Sequence, residues 1–171
     1  MVKQLFETNR LRIIPITTND ASFALTLMNS PKWIQFIGDR NVRTLKDAKA
    51  YIKEKALPQY KTYGYGNNVV IRKSDNEKLG TCGVYHREDK NQPDLGFAFL
   101  PPYEGKGYAF EATSKLIEVM RDTFGLHELS AYTLEENSAS RKLLERLNFE
   151  LKGTGILPTT NEELLHYHRK L

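Results

Sequence analysis

The sequence predicts one mixed α/β (α+β) domain, a central and mostly antiparallel sheet flanked by helices. Three observations carry this. The chain has 171 residues, 40% of them hydrophobic, enough to bury one sizeable core on the ~150-residue scale of a domain. Its middle changes from helical to alternating periodicity, with three strand-like runs joined by short connections. After them the order reads strand, helix, strand, helix, strand. No Pro/Gly/Ser-rich linker and no internal repeat divides the chain, so the domain is expected to span 1–171.

Taken in order, Arg10 to Ile16 alternates and is rich in isoleucine, which predicts a strand. Thr17 to Asp20 offers N-caps for a helix through Met28, with Ala21, Ala24, Leu25 and Met28 on one face. Ser30-Pro31 starts a second helix that ends near Gly38. Thr44 and Asp47 form a capping box with Asp in the Glu position. The helix behind it turns Leu45, Ala48, Ile52 and Ala56 inward and is expected to stop at Pro58. Asn68–Lys73, Leu79–His86 and Asp94–Leu100 are the three strands, the second expected to be broken by Gly80 and Gly83. They suggest an antiparallel meander. Ala109 to Thr123 is an amphipathic helix with Ala112, Leu116, Val119 and Met120 as its buried stripe, closed by Gly125 as a C′ residue. Leu129–Leu134 is a strand, Asn137 starts a short helix carrying Leu143, Leu144 and Leu147, and Phe149–Lys152 returns as a strand. The tail from Glu162 fits a strand and a helix equally on periodicity alone.

Composition removes several classes. No apolar run approaches the ~18 residues of a membrane span, so no membrane association is expected. The first ten residues carry no long apolar stretch, so no signal peptide is evident. One cysteine, Cys82, excludes an internal disulfide framework and multi-thiolate metal sites, and fits a reducing cytoplasm. The net charge of +4 comes from scattered lysines and arginines, which argues against direct nucleic-acid binding but suits a pocket for a phosphate-rich small molecule.

The most informative stretch is Glu104-Gly105-Lys106-Gly107-Tyr108-Ala109, between a strand and a helix. Glycines there let backbone N–H groups approach an anion, and the helix start adds unpaired donors and the positive end of its dipole. Together these make a pyrophosphate cradle. Gly-Lys-Gly is also an ordinary loop. The spacing is neither a Walker loop nor a dinucleotide fingerprint, which would need glycine where Phe110 stands.

The order of elements then becomes specific. Thr8-Asn-Arg-Leu-Arg12, Leu79-Gly-Thr-Cys-Gly83, Leu95-Gly-Phe97, Tyr103-Glu-Gly-Lys-Gly-Tyr-Ala109, Glu111-Ala112, Asn137-Ser-Ala-Ser140 and Asn148-Phe149 run through nearly the whole chain. This ordered set resembles the GNAT acetyltransferase superfamily, and within it the ribosomal-protein N-terminal acetyltransferases (RimJ/RimL-like). Two departures stand out. Glu104 occupies a position usually held by Gln or Arg, and Asn148 one usually held by Gly, whose left-handed conformation asparagine tolerates.

The resemblance implies a sheet of about seven strands with a splayed central pair. It implies acetyl-CoA as cosubstrate in that cleft, without a metal, and transfer of acetyl to a primary amine. The acceptor is either a protein N-terminus or a small molecule such as a polyamine, an antibiotic or an amino acid. A non-catalytic CoA-binding module is the competing class. The backbone of Phe97, Phe99 and Leu100 would pair with the pantetheine amides. The pyrophosphate would lie on Gly105, Lys106, Gly107, Tyr108 and Ala109. Asn137 would contact the pantetheine arm, and is equally a plain N-cap. Ser140 would protonate the departing thiolate, or is simply a first-turn serine. Asp94 would act as base, directly or through water, or is a solvated strand end; His86 is a rival base. His127, His166 and His168 read as surface residues without a clear partner. Trp33, Phe36 and Tyr51 would line the acceptor side, or belong to the core. A monomer and a homodimer are both compatible with the sequence.

Overall fold

In the computed structural model, residues 4–157 and 161–171 are described; of the domain expected over 1–171, Met1 to Lys3 and residues 158–160 lie outside them. β1 (Phe6–Glu7) and β2 (Leu11–Pro15) lead through a Thr17-capped turn into α1 (Ala21–Met28), α2 (Pro31–Phe36) and α3 (Leu45–Tyr51). A π-turn over Ile52–Ala56 joins α3 to α4 (Leu57–Tyr63). β3 (Asn67–Arg72), β4 (Lys78–Tyr85) and β5 (Asp94–Phe99) follow, then α5 (Tyr108–Asp122), β6 (Glu128–Thr133), α6 (Ser138–Arg146), β7 (Glu150–Ile156) and β8 (Glu163–Lys170). Among the described residues eight strands form one sheet in the order β1-β2-β3-β4-β5-β6-β8-β7. Every neighbouring pair is antiparallel except β5 and β6.

Each face of the sheet has its own apolar layer. On one face, Leu79, Cys82, Val84, Leu95 and Leu129 pack under Ala112, Leu116, Val119 and Met120 of α5 and Leu144 of α6. On the other, Val69 and Ile71 pack under Ala21, Ala24 and Met28 of α1 and Ala48, Ile52 and Ala56 of the α3 segment. Those helices cover only the β1–β4 half of that second face, because their sheet partners come from β2 and β3. The expected capping box at Thr44 with Asp47 is present, and a second one, not expected, stands at Thr17 with Asp20.

Several expectations needed correction. Pro58 does not stop its helix. A proline ring clashes with the carbonyl four residues back, and the wider π-turn, in which Leu57 N–H reaches Ile52, opens the ladder just before it. Leu45 is 51% exposed rather than inward, since its first-turn position lies ahead of the stripe at Ala48, Ile52 and Ala56. The glycines of β4 do not break it. A Cβ at Gly83 would stand 2.7 Å from the Tyr85 hydroxyl, and one at Gly96 2.9 Å from the Tyr85 ring, so these glycines let that half-buried tyrosine lie flat across two strands. The tail is a strand, β8, inserted between β6 and β7.

Asn148 adopts φ +61° at the end of α6, and the chain reverses there so that Phe149, whose N–H bonds to the Leu144 carbonyl at 2.9 Å, enters the core. Asn148→Gly is therefore expected to leave stability within about 0.5 kcal/mol of wild type. Asn148→Val should lose about 1–2 kcal/mol in urea denaturation, because a β-branched residue resists the left-handed region.

Candidate active site

The sheet parts between its two parallel strands. Asp94 of β5 pairs with Ser130 of β6, and no later residue of either strand pairs across the gap. The Ser130 N–H reaches the Pro93 carbonyl at 2.9 Å, and the Leu100 N–H reaches the Leu79 carbonyl of β4 at 2.9 Å. Antiparallel strands alternate the direction of their backbone groups. Even-numbered residues of β5 therefore bond to β4; Leu95 completes the bridge by giving its N–H to the Ser130 carbonyl and turns only its C=O into the gap, while Phe97 and Phe99 turn both their N–H and C=O groups into it. On the β6 side the same alternation turns Tyr132 inward, since Leu129, Ala131 and Thr133 face β8. Leu100 is a correction to the expected set: its N–H is spent on Leu79 and its carbonyl accepts from Tyr103 at 3.0 Å. The Leu95 carbonyl, which sequence reasoning missed, faces the gap instead; only the strand's parity could have revealed it.

The loop beyond β5 is shaped by two left-handed glycines, Gly105 at φ +70° and Gly107 at φ +81°. Gly107 is the N-cap of the 15-residue helix α5, and no side chain caps it. The first N–H groups of α5 are left to donate to an outside partner. Arg10 holds this loop from behind, donating to the Lys106 carbonyl at 3.1 Å and stacking on the Tyr108 ring at 4.3 Å. The Tyr108 side chain is thus buried, and its backbone alone faces the loop. The Glu111 carboxylate receives the Arg10 Nε at 2.6 Å, the Arg10 amide at 2.9 Å and the Thr8 hydroxyl at 2.6 Å. Glu104 does not add charge to the cradle unopposed, because it pairs with Lys32 of α2. A groove of about 590 Å³ lies beside the loop, lined by Arg10, Gly107, Phe110, Lys115 and Arg146 among others. Arg146 of α6 sits 3.8 Å above the Phe110 ring, so a cation and an aromatic face meet there.

Asp94 is not a solvated strand end. It is buried at the closed apex of the gap, with Arg87 Nε 2.6 Å from one oxygen and Arg87 NH2 3.0 Å from the other. Burial pushes its pKa up, against the opposing pull of Arg87. Sequence reasoning missed Arg87, a loop residue with no periodic signal. His86 is engaged elsewhere: its Nε2 lies 2.5 Å from the Tyr65 hydroxyl and its ring stacks on Tyr63 at 4.0 Å. His166 and His168 do have partners, Ser130 Oγ and Glu128 Oε2, each at 2.9 Å. His127 is exposed. Burial pushes the Cys82 thiol up to about 12, as befits a core residue rather than a nucleophile.

At the mouth of the gap, α6 starts with Asn137, whose side chain accepts from the Ser140 amide at 3.2 Å. That is the capping role, and the Asn137 amide nitrogen is left over. The half-buried Ser140 hydroxyl makes no hydrogen bond among the described residues. On the acceptor side, Trp33 and Tyr51 pack against the second apolar layer. Phe36 lines a separate groove of about 240 Å³ with Ile37, Asp39, Arg40 and Glu162. The structure therefore gathers Phe97, Phe99, Gly105, Lys106, Gly107, Tyr108, Ala109, Asn137 and Ser140 around one opening with Asp94 buried at its closed end, and leaves Trp33 and Tyr51 partly exposed against the second apolar layer. No group of three metal-ligating side chains stands together among the described residues, and no described helix is long and apolar enough to cross a membrane.

Comparison with known proteins places this geometry. The acetyltransferase (GNAT) domain family matches residues 10–150. The protein named uncharacterized N-acetyltransferase YoaA, from Bacillus subtilis (strain 168), is 25% identical over 150 residues, covering 87% of this chain and 84% of that one. The [ribosomal protein uS5]-alanine N-acetyltransferase of Escherichia coli (strain K12) is 37% identical over 59 residues, 34% of this chain and 30% of that one. An acetyltransferase of Agrobacterium tumefaciens str. C58 superposes with a TM-score of 0.83 at 24% identity, over 99% of this chain and 95% of that one, and so shares the fold.

The tie between β2 and α5 has a pH signature. Burial raises the Glu111 pKa, but the Thr8 hydroxyl and the Arg10 amide and side chain outweigh it and hold the carboxyl below its ordinary value. A carboxylate with a lowered folded pKa stabilises above its unfolded pKa, and that contribution is lost as pH falls through the folded value. Glu111→Gln should thus cost about 1 kcal/mol at pH 7. The gap to wild type, read by denaturation at a series of pH values, should persist down to about pH 4.5 and close below it.

Proposed function

Because the chain belongs to the GNAT acetyltransferase family, an acyltransferase family that uses acetyl-CoA, we propose that it moves the acetyl group of acetyl-CoA onto the α-amine of a protein N-terminus in the cytoplasm. The observation that carries this is the unclosed β5–β6 gap, with a row of unpaired backbone groups leading to the uncapped start of α5. A pantetheine arm adds to the free edge of β5 as a strand would, through the Leu95 carbonyl and the backbone of Phe97 and Phe99. Its pyrophosphate rests on the N–H groups of Gly105 to Ala109, with Lys106 beside it. The groove with Arg10, Arg146 and Phe110 suits the charged adenosine end. The N-terminal reading draws on the relative named for alanine acetylation of a ribosomal protein and on the open acceptor side, where the Phe36 groove admits an extended chain.

Acetyl-CoA supplies a thioester carbonyl that an unprotonated amine attacks. The protein positions that carbonyl in the gap, takes a proton from the acceptor and returns one to sulfur. Ser140, its hydroxyl otherwise unused, delivers the proton to sulfur, and the start of α6 favours the thiolate electrostatically. Asn137 caps that helix and offers its amide nitrogen to the pantetheine arm. Asp94, with both oxygens already receiving Arg87 hydrogens, anchors the apex rather than shuttling protons.

The test is direct. Acetyl-CoA at 100 times its dissociation constant should stabilise the protein by about 2.7 kcal/mol in thermal denaturation. In a screen of acceptors, peptides starting with Ser or Ala should be acetylated in preference to polyamines, aminoglycosides and free amino acids. Absence of any thermal shift defeats the enzyme reading, and a polyamine preferred over peptides defeats the N-terminal one. Gly107→Glu should abolish the shift while the circular dichroism stays native, since the new carboxylate meets the pyrophosphate. Ser140→Ala should lower kcat about 10–100-fold and leave the acetyl-CoA dissociation constant within about twofold.

A further inference from the structure

The half of the sheet face that α1–α4 leave uncovered carries a second hydrogen-bonded array, running along β6 and β8 from the apex of the gap. Its centre is Ser130, 1% exposed, directly opposite Asp94. The Ser130 hydroxyl lies 3.0 Å from Gln92 Oε1 and 2.9 Å from His166 Nε2. Gln92 turns its amide side to the Glu128 carboxylate and lowers that carboxyl's pKa, so its oxygen is the end facing Ser130. An amide oxygen only accepts, so the Ser130 hydroxyl donates to it. The same hydroxyl oxygen then accepts from His166, which places the ring hydrogen on Nε2. Nδ1 keeps its lone pair, and no described residue bonds to it. The ring stacks on Tyr132 at 4.9 Å, and Tyr132 is the β6 residue whose backbone faces the gap.

We propose that His166 Nδ1 is the base that deprotonates the acceptor amine, with Ser130 and Gln92 as positioning residues that fix its tautomer. This rests on the transferase reading above and names the group that Asp94 cannot supply while both its oxygens hold Arg87. The acceptor arrives as R–NH3+. His166 Nδ1 takes one proton, leaving R–NH2. The nitrogen bonds to the thioester carbonyl carbon, and the C–S bond breaks with its electron pair on sulfur. Nitrogen sheds a second proton to solvent, sulfur receives one from the Ser140 hydroxyl, which solvent restores, and His166 returns its own proton to solvent. The sum is one amide, one thiol and one released proton.

Burial and the charged surroundings disfavour a positive charge on the ring. Burial lowers its pKa first, then His168 two residues along β8 and Lys90 of the β4–β5 loop, each disfavouring a second positive charge. From β6 come the stacked Tyr132 and Glu128, the latter taken by His168 at 2.9 Å. The Arg87–Asp94 pair and Asp89 act on Tyr132 from the β5 side. On β7 the residues opposite His166 and Leu164 are Gly153 and Gly155, with Lys152 beside them bound to Glu150.

The experiment has two arms. Nitrogen-15 NMR of the ligand-free protein at pH 7 should show His166 as the neutral Nε2–H tautomer, and Ser130→Ala should relax that preference; an Nδ1–H tautomer in the wild type overturns the proposal. The second arm is the pH profile of kcat/KM with the best peptide acceptor. Wild type should show an inflection below the ordinary imidazole value of about 6.5. H166Q keeps an N–H donor for Ser130 but no basic nitrogen. It should fall about 10–100-fold at pH 7, lose that inflection and recover towards the amine's own pKa, with the acetyl-CoA thermal shift intact. An H166Q profile matching wild type overturns the proposal. A wild type that binds acetyl-CoA yet acetylates no amine defeats the transferase reading instead, and the tautomer measurement still decides the ring.

Discussion

A sheet that stops pairing after one parallel bridge is the constraint on which the rest of this structure depends. Unpaired backbone groups inside a protein are costly, so strands normally zip to their ends. Here Asp94 and Ser130 meet, and the Leu95 carbonyl and the backbone of Phe97 and Phe99 then face an open gap. Three neighbours hold it open. Arg87 locks Asp94 at the apex from inside the sheet. The turn at Pro101–Tyr103, pinned by Leu100, carries the chain away from β5 into the glycine loop and α5. Asn137 carries it away from β6 into α6. Both helices then pack on one face, so their starts flank the same opening.

The chemistry follows from what each side of the gap presents. One side offers backbone donors and a helix start, which suit amides and phosphates and need no particular side chains. Glu104 does not oppose this: its charge is answered by Lys32, and the loop presents its backbone. The apex offers an ion pair between a buried carboxylate and a half-buried guanidinium that satisfy each other, a device for fixing geometry rather than for moving protons. The uncovered face offers polar side chains in a defined hydrogen-bond order, with one lone pair left over.

Much of this was legible in the sequence where local physics decides. The capping boxes, the α5 stripe, the Gly-Lys-Gly loop and the left-handed Asn148 are written in short spacings. The ordered motifs carried the family. Legibility failed where a partner comes from far along the chain. Arg87 gave Asp94 a fixed role, Ser130 and Gln92 gave one to His166, and neither pairing leaves a periodic trace. Parity failed too: the Leu95 carbonyl takes the place of Leu100 once the register of β4 and β5 is known. In the tail, His166-Tyr167-His168 satisfied a strand and a helix alike, and the pairings with β6 and β7 chose the strand. Trp33 and Tyr51 lie against the second apolar layer because the helices that carry them close it.

Acetyl-CoA is proposed to bond to the free backbone groups of the gap. Hydrogen–deuterium exchange resolved to single amides tests it most directly. On adding acetyl-CoA, the amides of Phe97, Phe99 and Tyr132 and those of Gly107 to Phe110 should slow together, while Leu95, already bonded to Ser130, and Ala98 and Leu100, already bonded to β4, should not change. Protection confined to the helices on the opposite face, or none along β5, would contradict the account.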